Sequence, residues 1–192
     1  MARAVEGVSQ MGTTSAPGAL SHHDLALPVT AGVYHDIQHF LFRESLLLDH
    51  KRFEEWTALL SSDAVLCLPA RFAREIGVEC AAGVDHFQYD RQAISARFKR
   101  LQQGSGSDTG PLSAKTRRFV TNVIVCACDR DEYNVLSYVL VTRSGPGEAQ
   151  NYILSAERYD RLRQAGRNFK IVRREIVMDQ ASAANADIDM YL

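Results

Sequence analysis

Apolar side chains recur at helical spacing in the stretch that begins at Val33. They recur in steps of three or four residues, with adjacent pairs at 40–41 and 47–48 and one longer gap between these pairs, at Val33, Ile37, Phe40, Leu41, Leu47 and Leu48. This spacing predicts an amphipathic helix that buries one stripe. Glu44 falls inside the stripe. Because an unpaired buried charge is expensive, we expect this carboxylate to be paired or functional.

A second helix is predicted directly after the first, so that the two form a hairpin. Asp49 is a plausible N-cap, and Ser61, Ser62 and Asp63 would end the helix. One face of this helix would carry Phe53, Trp56, Thr57 and Leu60. Residues 64–68 then predict a short buried strand that Pro69 stops, and a further strand is expected around residues 78–81.

The third helix is predicted to begin at Asp90, which we expect to cap it. Ile94, Phe98 and Leu101 follow at helical spacing, and the Gly/Ser-rich run of residues 104–111 ends the helix. Four strands are predicted after Lys115, over residues 116–128, 133–142, 151–162 and 169–180. Their short separators predict an antiparallel meander, and helices followed by one long sheet indicate an α+β fold with the helices on one face.

Composition limits the classes of partner. The 192 residues carry 22 basic and 23 acidic side chains, a net charge of −1, and 46% of them are hydrophobic. This balance is typical of a globular chain and lacks the basic excess of a nucleic-acid binder. No apolar run reaches the ~20 residues of a membrane span, and no secretory signal is evident. We expect a cytoplasmic protein with a flexible tail over residues 1–30 and one domain over residues 31–192.

Histidines and cysteines give weak signals for metal chemistry. His35 and His39 stand one helical turn apart, but a third ligand is not spaced convincingly, so a solvated helix surface or a subunit contact is the better interpretation. The four cysteines lack a C-x-x-C pair and are interpreted as buried free thiols in a reducing compartment. They are Cys67, Cys80, Cys126 and Cys128.

Arginine is unusually frequent in the predicted strands. The last strand would place Val172, Arg174, Ile176 and Met178 on one face, and Phe169, Ile171, Arg173, Glu175 and Val177 on the other. Each face carries too many apolar side chains to be exposed to solvent, so both faces are expected to be covered. Guanidinium groups suit desolvated pairing with carboxylates and are enriched at interface cores. Two interpretations stay open together, a subunit interface and internal pairing with Glu44, Glu157, Asp160 and Glu175.

An alternative function follows from the fold class. A helix-plus-sheet domain can enclose a pocket, and a histidine or aspartate there could catalyse a dehydration or isomerisation. The candidates for such a stand-alone enzyme are His86, Asp63 and Tyr89.

Five stretches of the sequence carry a family resemblance. They are residues 40–49 (FLFRESLLLD) with 53–56 (FEEW), 96–101 (ARFKRL), 116–123 (TRRFVTNV), 157–163 (ERYDRLR) and 169–180 (FKIVRREIVMDQ). With all five in order, the chain resembles the small, or beta, subunit of the multicomponent aromatic-ring-hydroxylating dioxygenases, the Rieske non-haem iron oxygenases.

The resemblance implies a cone-like α+β fold of the nuclear-transport-factor-2 or scytalone-dehydratase type, with N-terminal helices on a strongly curved mixed, largely antiparallel sheet. It also implies a structural, noncatalytic subunit in an alpha3beta3 hexamer, with beta–beta contacts. NADH- and O2-dependent cis-dihydroxylation would occur in the alpha subunit, which holds the Rieske [2Fe-2S] cluster and the mononuclear iron.

No cofactor is expected in this chain, and its sequence has no C-x-H followed by C-x-x-H to bind a Rieske cluster. We predict instead an ionic framework that shapes the sheet and its contacts. Its predicted members are Glu44, Arg117, Arg118, Glu157, Arg158, Arg173, Arg174 and Asp179.

Overall fold

The computed structural model describes residues 29–69, 86–104, 115–129, 131–145 and 152–179. Helices α1, α2 and α3 of these ranges are Ala31–Asp49, Phe53–Thr57 and Arg91–Gly104. Strands β1 to β6 are Leu60–Pro69, His86–Asp90, Lys115–Asp129, Glu132–Ser144, Tyr152–Ala165 and Asn168–Met178. The predicted tail up to residue 28, the strand expected around 78–81 and the loop of residues 105–111 lie outside the described residues.

The described strands form one mixed sheet in the order β2-β1-β6-β5-β4-β3. Strands β3 to β6 pair antiparallel in sequence order, which confirms the predicted meander. β1 joins the meander as a parallel neighbour of β6 and pairs antiparallel with β2 on its other side. The parallel pair joins the first and the last of the described strands, so β1 and β2 belong to the same sheet as the meander.

Helix α1 begins where the apolar spacing predicts it. The side chain of Thr30 accepts a hydrogen bond from the backbone nitrogen of Val33 and caps the first turn. The helix buries Ile37, Phe40, Leu41 and Glu44 together. The expectation that Glu44 faces the core is therefore confirmed.

The predicted second helix is wrong in its cap and its length. Asp49 is the last residue of α1 and does not cap α2, whose N-cap position is Arg52 without a side-chain bond. α2 ends at Thr57, and Ser61 to Asp63 belong to β1. The apolar positions of a short helix and of the following strand overlap here, so spacing alone could not separate them. Asp90 does cap α3, because its Oδ1 accepts from Ala93 N at 2.7 Å.

Strand β6 contains a bulge that the sequence pattern does not reveal. Leu162 pairs with Ile171 while Arg161 pairs with Arg173, which leaves Val172 as an extra residue in β6. The extra residue reverses the alternation, so Phe169 and Ile171 face inward together with Arg174, Ile176 and Met178. The predicted division of this strand into two fixed faces is corrected accordingly.

Helix α1 occupies part of the open edge of β3. The carboxylate of Asp49 accepts a hydrogen bond from the backbone nitrogen of Arg118 at 3.1 Å. The hydroxyl of Tyr34 donates to the backbone oxygen of Val123, also at 3.1 Å, beside a register shift where Asn122 has a positive φ of 51°. Polar groups that would otherwise offer a template for another strand are thus bonded within the chain.

The apolar core lies between the helices and the inner face of the sheet. Aromatic rings dominate the α2–α3 corner, where Phe53 stacks on Phe98 at 4.3 Å and Trp56 meets Phe98 edge-on at 5.4 Å. Phe169 on β6 packs edge-on against Phe40 of α1 and Tyr133 of β4. Large side chains therefore join α2 to α3 and α1 to the sheet. Among the described helices, none has the length and apolarity to cross a membrane.

Candidate interface and ionic framework

Four charged side chains lie together inside the core. They come from α1, β5 and β6, and their residues are at most 3% exposed: Glu44, Arg158, Asp160 and Arg174. We call this set the buried quartet. It contains two cations and two anions, so its charges are balanced within a region that excludes water.

The strand register brings the quartet together. Asp160 on β5 lies directly opposite Arg174 on β6, and Arg158 stands two residues before Asp160 on the same strand face. The bulge at Val172 turns Arg174 toward the core. Glu44 reaches the group from the buried stripe of α1.

Arg174 is the centre of the quartet. Its Nε and Nη2 donate to the two carboxylate oxygens of Asp160 at 2.6 and 3.0 Å. Its Nη2 also donates to Glu44 Oε2 at 2.9 Å, and its Nη1 donates to Glu44 Oε1. One planar guanidinium thus holds two carboxylates in bidentate fashion, which an ammonium group cannot do.

Arg158 and Trp56 complete the polar network. Arg158 lies 3.2 Å from Asp160 Oδ2 and 3.4 Å from Glu44 Oε2, and its Nε donates to the Ser137 hydroxyl at 3.3 Å. The indole Nε1 of Trp56 donates to Glu44 Oε1 at 3.0 Å. Each carboxylate therefore contacts both guanidinium groups, and Arg158 Nη2 has no hydrogen-bond partner among the described residues.

The surroundings favour the charged forms of Glu44 and Arg174. Burial alone would raise the pKa of Glu44, but the charges of Arg174 and then Arg158 lower it to about 2. Burial and the nearby Arg174 lower the pKa of Arg158, whereas Asp160 and Glu44 outweigh burial and raise the pKa of Arg174. A carboxylate with a pKa this low is a poor general base near neutral pH, so the arrangement suits structure better than proton transfer.

A second ion pair joins α1 to β3. Arg118 Nη1 lies 2.8 Å from Asp49 Oδ1, and both side chains are about 95% buried. The same carboxylate holds the backbone nitrogen of Arg118, as described above. This pair fixes the end of α1 against the edge strand.

The remaining predicted framework residues lie outside both ionic groups. Arg117 is exposed, and its Nη1 donates to the backbone oxygen of Thr116. Arg173 and Glu157 are half-buried at register positions on the outer face, the sheet face opposite the buried quartet. Asp179 is exposed just beyond β6, and its backbone nitrogen donates to Ser155. The structure therefore brings Glu44, Arg158 and Arg174 together but not these four.

The predicted framework lacks one quartet member, Asp160. It also lacks two residues that bond to the quartet, Trp56 and Ser137. The sequence predicts Asp160 only as an internal partner of an arginine, although its spacing of two residues from Arg158 places both on one strand face. The contacts of Trp56 and Ser137 depend on distant chain segments. No local spacing predicts them.

The outer face of the sheet carries a group of exposed apolar side chains. Phe119 lies opposite Leu140, and Tyr138 is the next outward residue on β4. We call the group the outer patch, and it consists of Phe119, Ile124, Tyr138, Leu140 and Ile153, each 39–57% exposed. A contiguous apolar surface of this kind marks a candidate interaction site.

The residues of the alternative pocket enzyme do not form a site in the described structure. Asp63 is exposed and pairs with Arg163 at 3.3 Å. Its side-chain hydrogen bonds with Ser61 and then with Arg163 lower the pKa of its carboxyl. Tyr89 is half-buried, and the side chain of His86 lies outside the described residues.

The histidines and cysteines considered for metal or thiol chemistry do not form a site in the described residues either. His35 and His39 are both exposed on α1. Cys67 and Cys126 are buried as expected, whereas Cys128 is exposed and accepts a hydrogen bond from Arg161, and Cys80 lies outside the described residues. Within the described ranges no three histidine, cysteine or acidic side chains are grouped to hold a metal ion.

Comparison with known proteins agrees with the resemblance seen in the sequence. The family model described as "Ring hydroxylating beta subunit" matches residues 43–184. The benzene 1,2-dioxygenase subunit beta of Pseudomonas putida is 31% identical over 172 residues, covering 85% of this chain and 91% of that protein.

Solved structures show the same fold at lower identity. The beta subunit of benzoate 1,2-dioxygenase from Burkholderia mallei aligns with a TM-score of 0.67 at 23% identity, covering 85% of this chain and 98% of that one. A Novosphingobium aromaticivorans protein described as a scytalone dehydratase aligns with a TM-score of 0.56 at 21% identity, covering 78% and 85%. The predicted α+β fold of this type, with helices on a mixed sheet, is thereby confirmed, whereas the strong curvature of the sheet stays a prediction.

Proposed function

Because the chain belongs to the ring hydroxylating beta subunit family, we propose that it is the noncatalytic small subunit of an aromatic-ring-hydroxylating dioxygenase. The match over residues 43–184 carries this proposal. The chain's part would be to hold catalytic alpha subunits in a fixed mutual arrangement.

The buried quartet supports a structural role for this chain. In a helix-on-sheet domain of this type, the space between the helices and the sheet is where a catalytic pocket would lie. Here the described part of that space holds four charged groups, and each carboxylate is paired with both guanidinium groups. Catalysis needs groups aimed at a substrate with a pKa near the working pH, and Glu44 meets neither condition.

The partner of this chain in our proposal is the large oxygenase subunit, in an alpha3beta3 hexamer. The Rieske [2Fe-2S] cluster and the mononuclear iron would belong to that partner, where NADH-derived electrons and O2 drive cis-dihydroxylation of an aromatic ring. The proposal places the complex in the cytoplasm, in keeping with the free thiol of Cys67.

The ionic groups would serve assembly by fixing the shape of the domain. The quartet joins α1 to β5 and β6, and the pair of Asp49 and Arg118 joins α1 to β3. Arg117, Arg173, Glu157 and Asp179 would contribute outward charges to subunit contacts. Loss of the quartet should therefore weaken assembly indirectly. It would destabilise the domain that presents the contact surface, although none of the four residues touches the partner.

Co-purification with a large subunit tests the proposal. The tagged chain and an oxygenase large subunit from the same source are expressed together and passed through gel filtration. We expect the two chains to elute in equal amounts, with iron present in the complex and absent from the small subunit purified alone. Elution of this chain apart from the large subunit would contradict the proposal.

The same preparation examines the alternative, a dehydratase or isomerase. That function predicts turnover by the isolated chain and loss of the turnover on changing Asp63 or His86. The exposed position of Asp63 in a surface ion pair argues against it. Turnover by the chain alone would support the alternative and end the proposal of a noncatalytic subunit.

A further inference from the structure

We draw no further inference here: the strongest candidate, the outer patch of exposed apolar side chains on β3, β4 and β5, carries nothing because the described residues show nothing that covers it.

Discussion

Arg174 and Asp160 lie directly opposite each other on β6 and β5, and two hydrogen bonds of 2.6 and 3.0 Å join their side chains in the core. A buried charge is costly unless it is paired, and each of these two side chains is a partner of the other. The same guanidinium also holds Glu44 of α1, so one side chain links helix and sheet. We take this linkage to be the feature that fixes how the helix layer sits on the strands.

Replacing Arg174 by alanine should strongly destabilise the fold. The change leaves Glu44 and Asp160 with only Arg158 as a buried counter-charge, and removal of one partner from a buried ion pair costs about 3–5 kcal/mol. Urea unfolding monitored by fluorescence measures the free energy of unfolding. Trp56 is the only tryptophan and is fully buried, so its emission reports on this region.

Arg117→Ala is the matched control for Arg174→Ala. It removes the same side chain from an exposed position of β3, where its bond is to a backbone oxygen. We expect no measurable change in the free energy of unfolding. Equal effects of the two substitutions, or unchanged thermal stability and assembly of Arg174→Ala, would show that the buried quartet does not hold the domain together.

The burial of Glu44 is the part of this network that the sequence predicts. Glu44 stands within an apolar stripe whose period is fixed by the helix, so its burial follows from local spacing alone. The choice of Arg174 over Arg173 as the inward residue depends on the bulge at Val172. A bulge shifts the alternation by one residue and leaves no signature in the order of apolar positions, so that choice could not be predicted.

Stability should fall in acid because of Glu44. Its pKa is about 2 in the folded chain against an ordinary value of 4.5, so its contribution is present above pH 4.5 and is lost as the pH falls toward 2. Each pKa unit corresponds to about 1.4 kcal/mol, which makes the total about 3 kcal/mol. The measurement is the free energy of unfolding between pH 7 and pH 2.5.

Glu44→Gln isolates this contribution. The amide cannot ionise, so the variant should be less stable than wild type near neutral pH, and the difference should shrink below pH 4.5. A difference that stays constant down to pH 2.5 would mean that Glu44 is not held ionised by Arg174 and Arg158. Glu55→Gln is the control. The hydrogen bond from Arg52 also lowers the pKa of Glu55, but this pair is exposed to solvent, so the substitution should change the pH profile much less.

Trp56→Phe should destabilise the α2 corner. The substitution keeps an aromatic ring beside Phe98 but removes the Nε1 hydrogen that Glu44 accepts. Loss of a buried hydrogen bond to a charged group costs about 1.5–3 kcal/mol. Because fluorescence is then lost, circular dichroism measures the unfolding.

A double-mutant cycle identifies the partner of Trp56. In the Glu44→Gln background the Trp56→Phe substitution should have a smaller effect, since the charged acceptor is already absent. Strict additivity of the two changes would contradict a direct bond between indole and carboxylate.

Asp49→Ala should expose the edge of β3. The carboxylate holds both the side chain and the backbone nitrogen of Arg118, so its removal frees an edge amide. Amide hydrogen exchange at Arg118 should accelerate relative to that at Val125, which lies deeper in the same strand. Unchanged exchange at Arg118 would show that Asp49 does not protect this edge. Asp36→Ala, at an exposed position of α1, serves as the control.

The misplaced role of Asp49 illustrates a limit of local patterns. An aspartate before an apolar run is typical of a helix N-cap, and Asp90 behaves in that way. Asp49 instead bonds Arg118, which is 69 residues away. Such a partner is brought near only by the packing of α1 on β3, so the sequence around Asp49 carries no sign of it.

The central claim is that this chain acts by assembling the large subunit and performs no chemistry itself. The most direct measurement is a titration in which a fixed amount of large subunit receives increasing amounts of this chain while dihydroxylation of an aromatic substrate is followed. We predict a rate that rises until the two chains are equimolar and then stays constant, with no turnover by this chain alone. A rate that is independent of this chain, or turnover that continues without the large subunit, would contradict the account.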